Sequence, residues 1–342
     1  METTPLVTIA VATSDDEARI EPCLRSALGQ DYPKDRLEIV VADAMSMDAT
    51  REIVLRFAGE DTRVRLVDNP ERTRAAAFNA ILRASNGEIF VPMDPGAEYG
   101  KTHVSKCVAA LSSSSADHLA IVPRTAGRTL VERALSAAQK TKLAFAAGGA
   151  LARDAYDDDE AMPSLLGAVR RNVFERIGMF DPKTRAEEEV ELSRRITRDG
   201  GGVAVRKDIV VHRADARSFR DLFKRHFEIG KGRARRVVKE KRVDSVKTLA
   251  PLAMVAAGGA LAATSSLQPI TPIALGVYAL MTGKAAVRVS KGEGIVTIPV
   301  AWAAYPVMHV AHGVGFGSGL VRALVKPDWS TPEMPKGDPE PT

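Results

Sequence analysis

The sequence predicts an α/β domain with a mainly parallel sheet, followed by a helical region of bilayer-spanning apolarity. Three observations carry this. Short β-rich runs alternate with amphipathic helical stretches from residue 5 to about 236, no charged residue occurs from Thr248 to Gly283, and basic residues flank that apolar region. Alternation of strand and helix implies crossover connections between parallel strands, and continuous apolar runs mark strands covered on both faces. An uncharged stretch of this length reads as membrane rather than as a buried helical hairpin.

The first strand is Leu6 to Val11 (LVTIAV). The polar cluster Ser14-Asp15-Asp16 then precedes a helix whose apolar positions Ile20, Cys23, Leu24, Ala27 and Leu28 recur at helical spacing. Leu37 to Asp43 (LEIVVAD) is the second strand, and Asp48 is placed to cap the helix carrying Ile53, Val54 and Phe57. A third strand over Val64 to Val67, a helix over 71–85 and a strand over 88–93 follow. No G-x-G-x-x-G follows the first strand, so the dinucleotide-binding fingerprint is missing.

The apolar region holds segments at about 248–264 and 269–283, separated by SSLQP, and a third from Ile295 to about Val310. Basic residues precede the first segment (Lys231 to Lys247), and Lys284, Arg288 and Lys291 separate the second from the third. That is the positive-inside pattern of a cytoplasmic domain followed by a membrane hairpin. The glycine-rich HVAHGVGFGSGLVRALV is open to three readings: it closes a span, re-enters, or lies in the interface. The expected organisation is a catalytic domain over 1–236, a basic linker over 237–247, a membrane region of two to three helices over 248–325 and a disordered tail over 326–342.

Of the 342 residues, 45% are hydrophobic and 27% charged, a globular composition. The net charge of +5 suits a partner with phosphate groups or an anionic lipid surface and does not call for nucleic acid. Cys23 and Cys107 are far apart and form neither a disulfide framework nor a zinc box, so a reducing compartment is expected. METTPLVTIAVATSDD lacks a basic segment followed by a long apolar core, so no secretory leader is expected.

Parallel sheets present ligands at the C-terminal ends of their strands. Asp43 ends the second strand and Asp94 follows the strand over 88–93, so both are expected on one edge. Carboxylates there bind a sugar hydroxyl, a base edge or a hydrated divalent cation, although aspartate at such points also serves as a cap or turn residue.

Taken in order, the motifs resemble those of the family 2 glycosyltransferases of GT-A fold, over residues 6 to about 236. They are IAVATSDDE, Gln30-Asp31-Tyr32-Pro33, VADAMSMDAT, NPERTRAAAFNA, Asp94-Pro95-Gly96, GAVRRNVFERIGMFD, Glu188-Glu189-Val190-Glu191-Leu192 and, after His212, FKRHFEIGKGRARR. The apolar tail is similar to that of the membrane-attached branch resembling succinoglycan-pathway glucosyltransferases.

The resemblance implies transfer from a nucleotide sugar, UDP-linked, with inversion, to a lipid-linked or membrane-proximal glycan acceptor in cell-surface polysaccharide assembly. It also implies a multi-pass protein of the cell membrane with its catalytic domain in the cytoplasm. By position, Asp43 would contact the uridine, Thr13 and Glu17 would line the base pocket, and Asn79 would bind the nucleotide sugar. Asp94 would hold a Mg²⁺ or Mn²⁺ bridging the diphosphate, with His212 as a late metal ligand. Glu189 would be the general base, with Glu188 beside it. Arg225, Arg233 and Arg235 would bind the diphosphate or acceptor phosphates, and they equally suit a basic helix on anionic lipid.

The chain departs from the family pattern at several points. Gly96 offers no second metal ligand, and Pro95 stiffens its loop. Met45, Met47, Ala44 and Ala49 replace small or polar residues. Glu189 is one methylene longer than the usual aspartate, and Ala186-Glu187 precede it where asparagine is frequent. These departures support a second reading, a catalytically silent GT-A homologue acting as a scaffold in a glycan-assembly complex. A nucleotidyltransferase with a similar core would carry a glycine- and basic-rich loop after the first strand, which ATSDDEARI is not.

Overall fold

The computed structural model describes residues 4–121, 123–125, 127, 129–139, 141–144, 165–184, 188–213, 216–241, 243, 249–291 and 293–327. Ala186-Glu187, part of the expected linker and the tail from 328 onward lie outside the described residues. The chain forms two compact units, one built from residues up to Arg124 and from Ser164–Arg213, the other from Thr125–Pro163 and Ala214–Trp329.

The first unit is organised by a seven-stranded sheet in the order β3-β2-β1-β4-β8-β6-β9. The strands β1 (Val7–Thr13), β2 (Leu37–Asp43), β3 (Val64–Asp68) and β4 (Ile89–Pro92) are mutually parallel, as expected. β8 (Leu165–Arg170) runs antiparallel to β4 and to β6 (Ala116–Ile121), and β9 (Gly202–Arg206) returns parallel to β6. A smaller sheet joins β5 (Ala97–Tyr99), β10 (Val211–Arg213) and β7 (Arg124–Thr125).

Alternation along β1 explains why apolar residues occupy both of its faces. Val7, Ile9 and Val11 enter one core with Ile20 and Leu24 of α1 (Glu17–Leu28), Val54 and Phe57 of α2 (Thr50–Glu60), and Val104 and Leu111 of α4 (His103–Ser112). Ala10 enters the other, with Phe78 and Ile81 of α3 (Arg74–Arg83), Phe174 of α6 (Arg171–Ile177), and Leu192 of α7 (Glu188–Arg198). Each fully buried Ile, Leu or Phe contributes about 1.5–3 kcal/mol. The helix expected over 71–85 starts later, at Arg74. Arg72 is held at a φ of 55°, and the Thr73 hydroxyl caps α3 by accepting the Ala76 N–H at 3.1 Å. The N-cap of α2 is Ala49 rather than the expected Asp48, which lies one residue earlier and accepts the Thr50 N–H at 3.0 Å.

His103 and His118 are buried in this unit, and burial pushes both imidazoles down to about 4. Both are neutral when folded and take up protons on unfolding. Their contribution to stability is therefore whole above about pH 6.5 and is lost as pH falls toward 4, by up to about 1.4 kcal/mol per pH unit for each. Melting temperature in detergent is expected to fall steadily from pH 7 to pH 5; a flat profile there would contradict the burial of these two rings.

The second unit comprises α5 (Leu130–Gln139), α8 (Phe219–Glu240), α9 (Ala250–Ala263), α10 (Thr271–Ser290) and α11 (Ile298–Val325). Ser218 caps α8 by accepting the Asp221 N–H at 3.1 Å. The compact units divide at Arg213 rather than at the expected 236, because α8 packs against α11. A Cβ added at Gly315 of α11 would lie 2.1 Å from the Phe227 carbonyl oxygen, and one at Gly230 of α8 would lie 2.2 Å from that of His312. The two helices thus meet backbone to backbone. The glycine-rich stretch is one continuous helix with Ile298. Ser265–Ser290 and Ile295–Val325 are long and apolar enough to cross a membrane, whereas α9 is shorter. Ile273, Leu275, Val277 and Leu280 of α10 are each more than half exposed.

Candidate active site

Strand register places Thr13 beside Asp43 and Asp43 beside Asp68. Ala10 pairs with Pro92, so Asp94 emerges two residues later at the same C-terminal edge, as expected. The loops after β1 and β2 interlock there. The Asp15 N–H donates to Ser46 Oγ, and the Met47 N–H donates to Asp15 Oδ1, both at 2.9 Å. The Glu17 N–H donates to Asp48 at 3.1 Å, and the exposed Glu17 carboxylate accepts the Ala49 N–H at 3.2 Å. These bonds hold Asp15 and Met45 in the left-handed region, at φ 49° and 57°, a strain that persists only where neighbours over-determine it.

Asp43 is wholly buried. Its carboxylate accepts the Ser46 N–H at 3.0 Å and the Ser46 hydroxyl, and it pairs with Arg51 Nη1 at 3.0 Å. Arg51 also reaches Asp68 at 2.8 Å. For Asp43 to meet a nucleobase, one of these donors must give way. The buried Thr13 hydroxyl donates to Asp16 at 3.1 Å, and the Thr13 carbonyl accepts the Ala44 N–H at 2.9 Å, so Thr13 fixes the two loops.

Asp94 is fixed at both ends. Its N–H donates to the Tyr99 hydroxyl at 2.7 Å, its Oδ1 accepts the Gly96 N–H at 2.8 Å, and its Oδ2 lies 3.8 Å from Arg213. Burial works to raise its pKa, but Arg213 and Arg74 outweigh it and hold the carboxyl below its ordinary value. Side chains alternate along β10, so His212 faces away from the side on which Arg213 reaches Asp94. Among the described residues no three His, Cys, Asp or Glu side chains converge to hold a metal ion. Asp94 therefore suits a cation only in partnership with oxygens brought by a ligand.

Glu188 and Glu189 open α7, and both are buried. A single guanidinium serves both. Arg74 Nη1 lies 3.2 Å from Glu188 and 2.5 Å from Glu189, and its plane covers the Phe78 ring at 4.9 Å. Burial, with the Glu189 charge, raises the Glu188 pKa. Burial also acts on Glu189, but Arg74 more than offsets it and lowers that carboxyl. Arg74 senses Glu189, Glu188 and Asp94 together. It was not among the expected site residues. Its one sequence signal is a cation in the first turn of a helix, where the dipole disfavours it unless an anion is near.

The loop leading to this pair is held from two sides. The Asn79 carboxamide, expected at the nucleotide sugar, is buried and bonded both ways to the Phe180 backbone, at 2.8 and 2.9 Å. That fixes loop position and commits one donor and one acceptor of the amide to the backbone. Arg195 donates to the carbonyls of Ile177, Gly178 and Met179 at 2.8–3.1 Å. Beneath α7, the Ser193 hydroxyl donates to the Glu189 carbonyl at 2.7 Å and contacts His118 Nδ1 at 3.0 Å. Arg225, Arg233 and Arg235 lie on α8 in the second unit.

The model of the Glycosyl transferase family 2 matches residues 8–175, which span β1 to β4 and the loops carrying Asp43 and Asp94. The chain carries a family 2 glycosyltransferase domain. The succinoglycan biosynthesis protein ExoA of Rhizobium meliloti is 28% identical over 322 residues, covering 90% of this chain and 96% of that protein. The glycosyltransferase AglE of Haloferax volcanii is 23% identical, covering 67% of this chain and 73% of that protein. Among solved structures, the mannosyltransferase PcManGT of Pyrobaculum calidifontis, in complex with GDP-Man and Mn²⁺, shares the fold. Its TM-score is 0.59 at 22% identity, over 91% of this chain and 88% of that one. The glycosyltransferase domain thus has the expected GT-A architecture.

Proposed function

We propose that this chain is a membrane-attached, inverting glycosyltransferase that moves a sugar from a nucleoside diphosphate donor to a lipid-linked or membrane-proximal glycan acceptor. The observation that carries the reading is the buried carboxyl pair Glu188 and Glu189, split in acidity by Arg74, within electrostatic reach of Asp94. Two carboxyls whose surroundings drive their pKa values apart take separate roles. Glu189, the one kept ionised, is the base. It takes the proton of the acceptor hydroxyl as that oxygen attacks the anomeric carbon and the bond to the diphosphate breaks on the opposite side. Glu188, held toward its neutral form, keeps a second negative charge away from the base.

Asp94 and the diphosphate together would hold a Mg²⁺ or Mn²⁺, which neutralises charge on the leaving group. Arg213, beside Asp94, adds a fixed positive charge at the same place. The relatives support a role in polysaccharide assembly, since one is named for succinoglycan biosynthesis. The apolar helices and the basic residues around them support membrane attachment with the catalytic domain in the cytoplasm. The donor nucleoside is expected to be uridine, with guanosine as the comparison because PcManGT was solved with GDP-Man.

Calorimetric titration of UDP and GDP, with and without Mn²⁺, tests this reading. With one carboxylate on the protein side, metal is expected to bind weakly alone. Nucleotide and metal should then strengthen each other by the same factor, and Gly96→Asp should raise metal affinity. A catalytically silent scaffold binds neither nucleotide, whatever the metal.

A further inference from the structure

Arg74 is the most accessible member of its cluster. Its side chain is 27% exposed, while those of Glu188 and Glu189 are 5% and 9% exposed. The two carboxylates are thus nearly sealed, and Arg74 is the member of the cluster that reaches the surface. Glu189 Oε1 is occupied by an Arg74 N–H. An oxygen that already accepts from a guanidinium is a poor acceptor for a hydroxyl proton, because the transfer must weaken a charge-assisted hydrogen bond. The resting arrangement keeps Glu189 ionised, with Oε1 held by Arg74.

A diphosphate competes well for that guanidinium. Arginine's planar fork matches phosphate oxygens in pairs, and Asp94, which senses Arg74, lies where the donor's diphosphate is expected. We infer, on the basis of the proposed transferase function, that Arg74 is a donor-responsive latch: Glu188 and Glu189 hold it while the site is empty, and the entering diphosphate draws it away and leaves Glu189 free to act as the base. Arg74 is then a positioning residue for Glu189 and a ligand of the diphosphate in turn. The balance is simple. The acceptor oxygen forms its bond to the anomeric carbon, the bond from that carbon to the diphosphate oxygen breaks with its electron pair on the phosphate, and the hydroxyl proton ends on Glu189. Arg74 keeps its charge throughout. When the nucleoside diphosphate leaves, Arg74 returns, and its charge favours release of the proton from Glu189 to water. Donor binding before acceptor deprotonation is built into this cycle.

Competition of this kind is reciprocal, so it is measurable without turnover. UDP and GDP are titrated into the full-length protein in detergent, with UMP and GMP as controls, for the parent, Glu189→Gln, Arg74→Met and the double variant. Glu189→Gln should tighten diphosphate binding by roughly tenfold because it loosens the hold on Arg74, and Arg74→Met should weaken it by roughly tenfold. In the double variant the gain from Glu189→Gln should vanish, and the monophosphates should show little of either effect. Arg74→Lys keeps the ion pair and should fall between parent and Arg74→Met, which covers the case in which Arg74→Met fails to fold. An equal gain from Glu189→Gln with and without Arg74 would be loss of a negative charge alone and would overturn the latch, as would monophosphates responding like diphosphates. No nucleotide binding by the parent or any variant would instead overturn the donor reading, and the latch with it.

Discussion

Glu189→Gln is expected to lower kcat by on the order of 10²–10⁴ while nucleotide diphosphate binding survives. The amide nearly preserves the shape of the carboxylate and cannot take a proton at neutral pH. Neither neighbour is placed to substitute. Glu188 is held toward its neutral form by burial and by the charge beside it. Glu191 is paired with Arg195 at 2.9 Å, and Arg195 in turn holds the backbone before α7. Single-turnover assays with a radiolabelled nucleotide sugar and membrane extract as acceptor source read the effect directly. Turnover equal to that of the parent would remove Glu189 from the chemistry and direct attention to Glu188.

Gly315→Leu is expected to prevent recovery of the folded protein. A single carbon there already lies 2.1 Å from the Phe227 carbonyl oxygen, closer than side-chain carbons approach anything. That neighbour is helix backbone and has no rotamer to change, so α8 and α11 must separate. Overpacking of ordinary cores costs about 1–3 kcal/mol, and a forced separation of helices exceeds that range, against total stabilities of about 5–15 kcal/mol. Gly258→Leu on α9 is the control, because nothing lies within 4 Å of an added carbon there. Detergent-extracted yield and melting temperature should collapse for Gly315→Leu and hold for Gly258→Leu. Similar melting for both would show that the close contact is not maintained in solution.

Strands, helices and the edge that carries Asp43 and Asp94 were legible in the sequence because they are local: alternation, helical spacing and strand ends are written within a few residues. The polar partners were not. Arg74 and Glu189 are 115 positions apart, and Arg213 and Asp94 belong to different strands, so no spacing announces either pair. The residue chosen in the second case, His212, was one position from the residue that reaches Asp94, and along a strand one position is the opposite face. Asn79 was placed at the ligand by its motif, whereas its amide closes on Phe180, a contact visible only once α3 and the loop before α7 are packed. The boundary at 236 followed the change from charged to apolar composition. The better signal was Gly315-x-x-x-Gly319, small residues one turn apart that let another helix approach closely.

Under the proposed membrane attachment, the contact between α8 and α11 also bears on how deep this protein sits. α8 carries Lys224, Arg225, Lys231, Arg233, Arg235, Arg236 and Lys239 within its 22 residues. Each charge taken to the middle of a bilayer costs about 2.5–3.5 kcal/mol even on the gentlest scale, so α8 stays at headgroup level. The part of α11 that touches the α8 backbone, around Gly315 and Gly319, is held near that level too. The helices free of that contact are α9, whose 14 residues rise about 21 Å, and α10, whose 20 residues rise about 30 Å. The first falls short of the roughly 30 Å core and the second only matches it. Helices of these lengths leave little margin, so under the proposed membrane attachment the anchoring strength of this protein should follow the thickness of the bilayer that holds it.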